Sequence, residues 1–146
     1  MSEVLFKCLI KVNRHGIKKN SKQIFMNKKT GSRFIASSNN SKVSECWLMA
    51  RLHIEKIKQK IDQPIDCDLN ATFKFYFPKS VYFTKKGPRS KTLSDLSNLY
   101  ELPQDCLQKA GIILNDTLIC SHDGSRRLPI DGPDYYLEII LSKSHD

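Results

Sequence analysis

The chain has 146 residues, 40% of them hydrophobic and 27% charged, which suits one domain around a single core and does not suit a disordered chain. Lysine and arginine total 24 against 15 acidic residues, and the net charge of +9 favours polyanionic partners through long-range attraction. No apolar run approaches the roughly 20 residues of a membrane-spanning helix, and no segment joins a broad apolar face to a lysine-rich one; nucleic acid is therefore expected before a membrane, with a surface basic for solubility alone as the alternative.

The opening MSEVLFKCLIKV is too short and too alternating for a signal peptide, so a cytoplasmic protein is expected. Five cysteines, at 8, 46, 67, 106 and 120, show no CxxC spacing and are expected to be reduced and mostly buried.

In chain order, Val4, Phe6, Cys8, Ile10 and Val12 alternate with Lys7 and Lys11, the pattern of a strand. The next stretch is rich in turn formers and carries Arg14, Lys18, Lys19, Lys22, Lys28, Lys29 and Arg33. Within it QIFMN and RFIAS are expected to pair as a short hairpin around KKTG. From about Lys42 to Ile61 the period becomes helical. Val43, Cys46, Trp47, Ala50, Ile54, Ile57 and Ile61 form an apolar stripe expected to face the core, and Asn40 or Ser41 is placed to cap the start. His53 belongs to the exposed face.

Residues 65–77 alternate throughout, from Ile65 and Cys67 to Phe75 and Phe77, and predict a strand buried on one side. Asp66 and Asp68 fall on its solvent side. A loop, FTKKGPRSK, follows with Lys85, Lys86, Arg89 and Lys91 and no acidic residue. A second helix is expected from about Asn98 or Leu102 to Lys109, with Pro103 in its first turn and Gly111 as its left-handed stop. Two short strands, 112–114 and 117–122, a polar turn DGSRRLPIDGPD, and a last strand from Tyr135 to Leu141 complete the chain. The expected fold is a single α/β (α+β) domain over 1–146, a mixed sheet packed against two main helices in the order β-hairpin-α-β-α-β-β.

Magnesium takes oxygen ligands in octahedral geometry, usually a few carboxylates with water and phosphate. Asp95, Glu101 and Asp105 come from one segment and Asp116 from just past the second helix. The turn at Gly111 sends the chain back along that helix, toward its start, so convergence is geometrically open. Structural readings stand beside it. Asp105 and Lys109 have ion-pair spacing, Asn98 and Glu101 have capping-box spacing, and Asn115-Asp116 suits a turn. His122 and Asp123 follow Asp116 closely enough for proton transfer, although a turn role fits them better.

The stretch DLSNLYELPQDCLQKAGIILNDTLI, residues 95–119, resembles the signature region of the RusA-type Holliday junction resolvases. The matching pieces are Asp95-Leu96-Ser97-Asn98-Leu99, Asp105-Cys106-Leu107, Lys109-Ala110-Gly111 and Leu114-Asn115-Asp116, in register without gaps. The upstream KKNSKQIF, with its TGSRF turn and long helix, is also similar to members of that family.

The resemblance implies a RusA-like fold and an endonuclease that resolves four-way DNA junctions with Mg²⁺ (or Mn²⁺), working as a homodimer. It assigns metal binding to Asp95 and Asp116. Three positions depart from the pattern: Ser97 stands where the family usually has an aspartate, Asn115 replaces the first residue of an Asp-Asp pair, and Glu101 stands where many members carry lysine. Glu101 is expected to supply the carboxylate missing at Ser97. Lys85, Lys86, Arg89 and Lys91, with Lys18, Lys19 and Lys22 and with Arg126 and Arg127, are the expected phosphate contacts. The alternative is a branched-DNA or other nucleic-acid binder of weak or no catalytic activity on the same scaffold.

Overall fold

A computed structural model of the chain describes residues 3–12, 22–26, 33–37, 39–91, 93 and 96–144, with the side chains of 22–26, 33–37 and 39–41 left aside. In order the elements are β1 (Val4–Val12), β2 (Lys22–Met26), β3 (Arg33–Ser37), α1 (Asn39–Lys58), β4 (Leu69–Pro78), α2 (Lys79–Tyr82), α3 (Leu96–Leu99), α4 (Glu101–Lys109), a 3₁₀ turn (Asp116–Leu118), β5 (Ile119–Ser121), β6 (Arg126–Ile130) and β7 (Tyr135–Lys143). This is the expected α+β class. Among the described residues no helix is long and apolar enough to cross a membrane.

The main sheet runs β1-β7-β4-β5, with β6 also pairing β4. β7 is antiparallel to both neighbours, whereas β5 and β6 run parallel to β4. Alternation in three strands lines up across the sheet: Phe6, Leu141 and Ala71 form one row, Cys8, Ile139 and Phe73 the next, Ile10, Leu137 and Phe75 the third. All nine are buried, and Leu48 and Leu52 of α1, Leu102, Cys106 and Leu107 of α4, and Leu99, Ile112 and Ile113 complete that core. The other face of the sheet carries Lys7, Lys11, Lys74 and Glu138 at alternate positions, with Lys74 3.7 Å from Glu138.

β2 and β3 pair with each other antiparallel, as the hairpin pattern predicts. The alternating run from Ile65 divides: Ile65 bridges Ile113 in parallel, and β4 proper starts only at Leu69. The polar turn assigned to 123–134 contains a strand instead. β6 holds Pro129 at the sheet's edge, where a missing N–H costs little, and that proline with its neighbouring turn formers disguised it.

The largest correction concerns α1. Leu48 and Leu52 face the core, while Val43, Trp47, Ile54 and Ile57, all in the expected apolar stripe, are exposed, Ile57 at 78%. Cys46 and Ala50 of that stripe are exposed too, while Ile61, past the end of α1, packs partly buried against the core as expected. The buried side is thus roughly opposite the expected one. Its position explains this, because α1 lies beside the edge strand β1 and must satisfy backbone groups there as well as bury carbon. The Lys7 amide donates to Gln59 Oε1 (3.3 Å) while Gln59 Nε2 donates to the Lys7 carbonyl (2.8 Å), and Trp47 Nε1 donates to the Lys11 carbonyl (2.7 Å). The Trp47 indole of α1 and Gln59, the residue just past it, do here what a further strand would do. Of the cysteines, Cys8 and Cys106 are buried, Cys67 is partly buried, and Cys46 and Cys120 are exposed, all five as free thiols. Burial, with Glu55 nearby, pushes the Cys8 thiol up to about 12 and leaves it protonated.

Candidate metal and nucleic-acid site

The segment with the resemblance folds as two short helices and a return. Asp95, the first of its aspartates, lies outside the described residues, as do Lys18 and Lys19. α3 presents Ser97 to solvent and turns Leu99 into the core. α4 begins at Glu101, with Pro103 in its first turn as expected and Leu102, Cys106 and Leu107 inward. Its N-cap is Tyr100, with no side-chain capping bond, and Asn98 belongs to α3, so the capping-box spacing of Asn98 and Glu101 is not used.

Gly111 closes α4 at φ +74, and the amides of Gly111 and Ile112 bond the carbonyls of Gln108 and Leu107 (both 3.0 Å). That left-handed residue reverses the chain without strain. The return then runs back along α4. The Asp116 amide donates to Gln108 Oε1 at 2.9 Å, and further on His122 bonds Gln104 Oε1 through Nε2. Asp116 is an exposed carboxylate held beside the last turns of the helix. Glu101, also exposed, opens the same helix seven residues before Gln108, about 10 Å along the axis.

The residues between them take structural parts. Asp105 pairs with Lys109 at 3.0 Å, and Lys109 also bonds Glu45 of α1, tying the two helices. These bonds, Glu45 first and then Asp105, hold the Lys109 ammonium well above its usual range. The i, i+4 reading of Asp105 is therefore the one realised. Asn115 accepts from the Thr117 amide at 2.9 Å and caps the 3₁₀ turn. Either Asn or Asp performs that bond, so the departure from an Asp-Asp pair keeps the local backbone and removes one negative charge.

His122 is the residue that the pattern undervalued. Its ring stacks on Tyr100 (centroids 4.1 Å apart, 7° between planes) and lies 5.8 Å from Phe73. Burial lowers its pKa, with Asp123 opposing, so the ring is neutral at pH 7. It reaches the first turn of α4, which Asp116 does not. Asp123 itself serves a turn: its amide donates to Asn70 Oδ1 (2.8 Å) and its carbonyl accepts from Thr72 Oγ1 (2.7 Å). A histidine ending an apolar strand opposite an aromatic at a helix start was the only available signal.

The basic loop is closed by the Ser90 amide on the Tyr82 carbonyl (2.7 Å) and the Thr84 amide on the Pro88 carbonyl (2.8 Å). Lys85, Lys86, Arg89 and Lys91 are exposed, and among the described residues none has an acidic partner. Tyr82 and Phe83 pack edge-on at 4.9 Å. The loop follows the C-terminal end of β4, and Lys79 at its root pairs with Asp131 just past β6 (2.8 Å). Arg126 and Arg127 sit at the other end of β6, about 13 Å away along the strand, Arg126 exposed and Arg127 half-buried. Lys22 opens β2, in the separate hairpin. The three basic groups are thus carried by three different elements.

Asp116 and Glu101 are hard oxygen donors of the kind that magnesium takes. Among the described residues no three His, Cys, Asp or Glu side chains converge to hold a metal. Compared with known proteins, the chain matches no family model and no curated protein.

Proposed function

We propose that the protein is a metal-dependent endonuclease that cuts four-way DNA junctions in the manner of the RusA-type resolvases. The observation that carries this reading is the return after Gly111, which docks the exposed Asp116 on α4 within the module that begins at residue 95. Asp116, with Asp95 as the resemblance implies, would hold Mg²⁺ (or Mn²⁺), whereas Glu101 opens α4 about 10 Å along the axis from the Gln108 that holds Asp116 and does not fit the same ion. When bound, such an ion stabilises charge on phosphate and lowers the pKa of water. The chain's own residues do the positioning. Gln108 fixes the Asp116 backbone, Asn115 fixes the turn that presents it, and the Lys85–Lys91 cations hold a neighbouring backbone phosphate. Cutting two opposed strands calls for two such sites, hence a two-fold dimer.

The test is an Asp116→Asn variant, which retains the fold because that side chain is exposed. It should lose magnesium-supported junction cutting by two or more orders of magnitude and keep junction affinity. Full cutting by the variant would sink the assignment. A second reading, a branched-DNA binder without cleavage, is favoured by the neutral Asn115, which stands where the resemblance has an aspartate. It predicts binding that magnesium leaves unchanged and no nicks in any substrate.

A further inference from the structure

The face that α1 turns away from the core is apolar along its middle. Of the nine large hydrophobic residues exposed among the described residues, four, Val43, Trp47, Ile54 and Ile57, lie on this one helix, which makes a patch and not a scatter. With Ala50, also exposed, they follow one another at intervals of four, three, four and three. That is the spacing of a heptad seam, which offers one line of apolar side chains to a second helix. From Val43 to Ile57 the seam runs about 21 Å, two heptads long. Near its start Val43, Cys46, Trp47 and Ala50, with Lys42, line a shallow apolar depression. Small residues beside large ones make there a hole for a large side chain of a facing helix. Trp47 is already fixed in place: its Nε1 donates to the Lys11 carbonyl at 2.7 Å, and the Arg51 guanidinium lies 4.7 Å from the ring centroid. A side chain so held loses little freedom on binding.

The charges beside the seam select the kind of helix. On the helical wheel Arg51 and Lys58 fall along one flank and Lys42 and His53 along the other, all exposed. The two acidic residues of α1 point toward the body of the domain and are half-buried: Glu45 bonds Lys109, and Glu55 lies between Gln59 (3.0 Å) and Lys58 (3.9 Å). A second copy of α1 would set these cations against their own kind, in a chain whose net charge is already +9. An acidic helix is complementary to them, and charges at such flanking positions set partner choice. An anionic lipid surface shares the taste for cations and apolar side chains, but it offers no knob for the depression.

We propose that the exposed face of α1 docks an amphipathic helix of a partner protein, with leucine-like side chains toward the seam and Asp or Glu along both edges. The inference stands apart from the nuclease reading, which uses none of these residues.

Trp47 is the only tryptophan of the chain, so its emission reports on this face directly. The probe is a three-heptad helical peptide with Leu at the a and d positions and Glu at e and g, compared with the same peptide carrying Lys at e and g. At an ionic strength of about 0.1 M the Glu peptide should blue-shift the Trp47 emission to saturation, and the Lys peptide should bind at least about tenfold more weakly. An Ile54→Ser, Ile57→Ser variant, changed only at exposed positions, should lose about tenfold or more in affinity for the Glu peptide. A Lys42→Glu, Arg51→Glu, Lys58→Glu variant should reverse the preference toward the Lys peptide. No emission shift with the Glu peptide, equal binding of the two peptides, or wild-type binding by the serine variant would overturn the proposal. Phosphatidylserine-rich vesicles and sedimentation of the protein alone complete the comparison. A Trp47 shift with vesicles and none with the peptide would give the face to a membrane, and self-association abolished by the serine changes would give it to a second copy; either result overturns the proposal.

Discussion

Between Tyr100 and Gln104, the His122 ring is held neutral by burial against an aromatic face. Its folded pKa lies below the ordinary 6.5, so the unfolded chain binds the proton more readily. This group's contribution to stability is full above about pH 6.5 and is lost as pH falls from there toward the folded pKa. The thermal midpoint should therefore drop between pH 7.5 and 5.5, and a His122→Gln variant should show a smaller drop. An equal drop in both would place the acid sensitivity elsewhere. Asn115 is a second residue with one clear task. Replacing it by Ala removes the bond from the Thr117 amide and should cost about 1 kcal/mol in urea unfolding, whereas Asn115→Asp should keep the fold.

At the scale of elements, β4 and β7 were legible because a half-buried strand writes its two faces as simple alternation. So was the end of α4, since only Gly111 offers a left-handed stop between Lys109 and the apolar return. α1 was not legible. It carries apolar residues on two sides, and the richer side is the exposed one, because the chosen face had also to present Gln59 to the edge of β1. Unfolding measurements separate the two faces. Leu52→Ala should cost about 2–5 kcal/mol, as a fully buried leucine does, and Ile57→Ala within about 0.5 kcal/mol of zero. The reverse ranking would restore the face expected from the sequence. Lys60 ends the helix at φ 55, a conformation that glycine adopts freely, so Lys60→Gly should stabilise by about 0.5–1 kcal/mol.

Over the whole molecule, the excess positive charge lies on a loop after β4, on the edge strand β6 and on the separate hairpin, while α3, α4 and the return carry the acidic residues of interest. The sequence made the parts of the candidate site visible but not their spacing. Asp116 was expected back near the start of the helix; instead Gln108 holds it near the end, and the longer path through the 3₁₀ turn brings His122 to the start. Motif register fixes which residues belong together along the chain, whereas their separation depends on how steeply the return climbs the helix. The most direct measurement gives the dimeric or monomeric protein a four-way junction and a linear duplex of the same sequence, side by side, with and without magnesium. Paired nicks in opposed strands of the junction, dependent on magnesium and far fewer in the duplex, are the predicted result; equal cutting of both substrates, or none of either, would contradict the account.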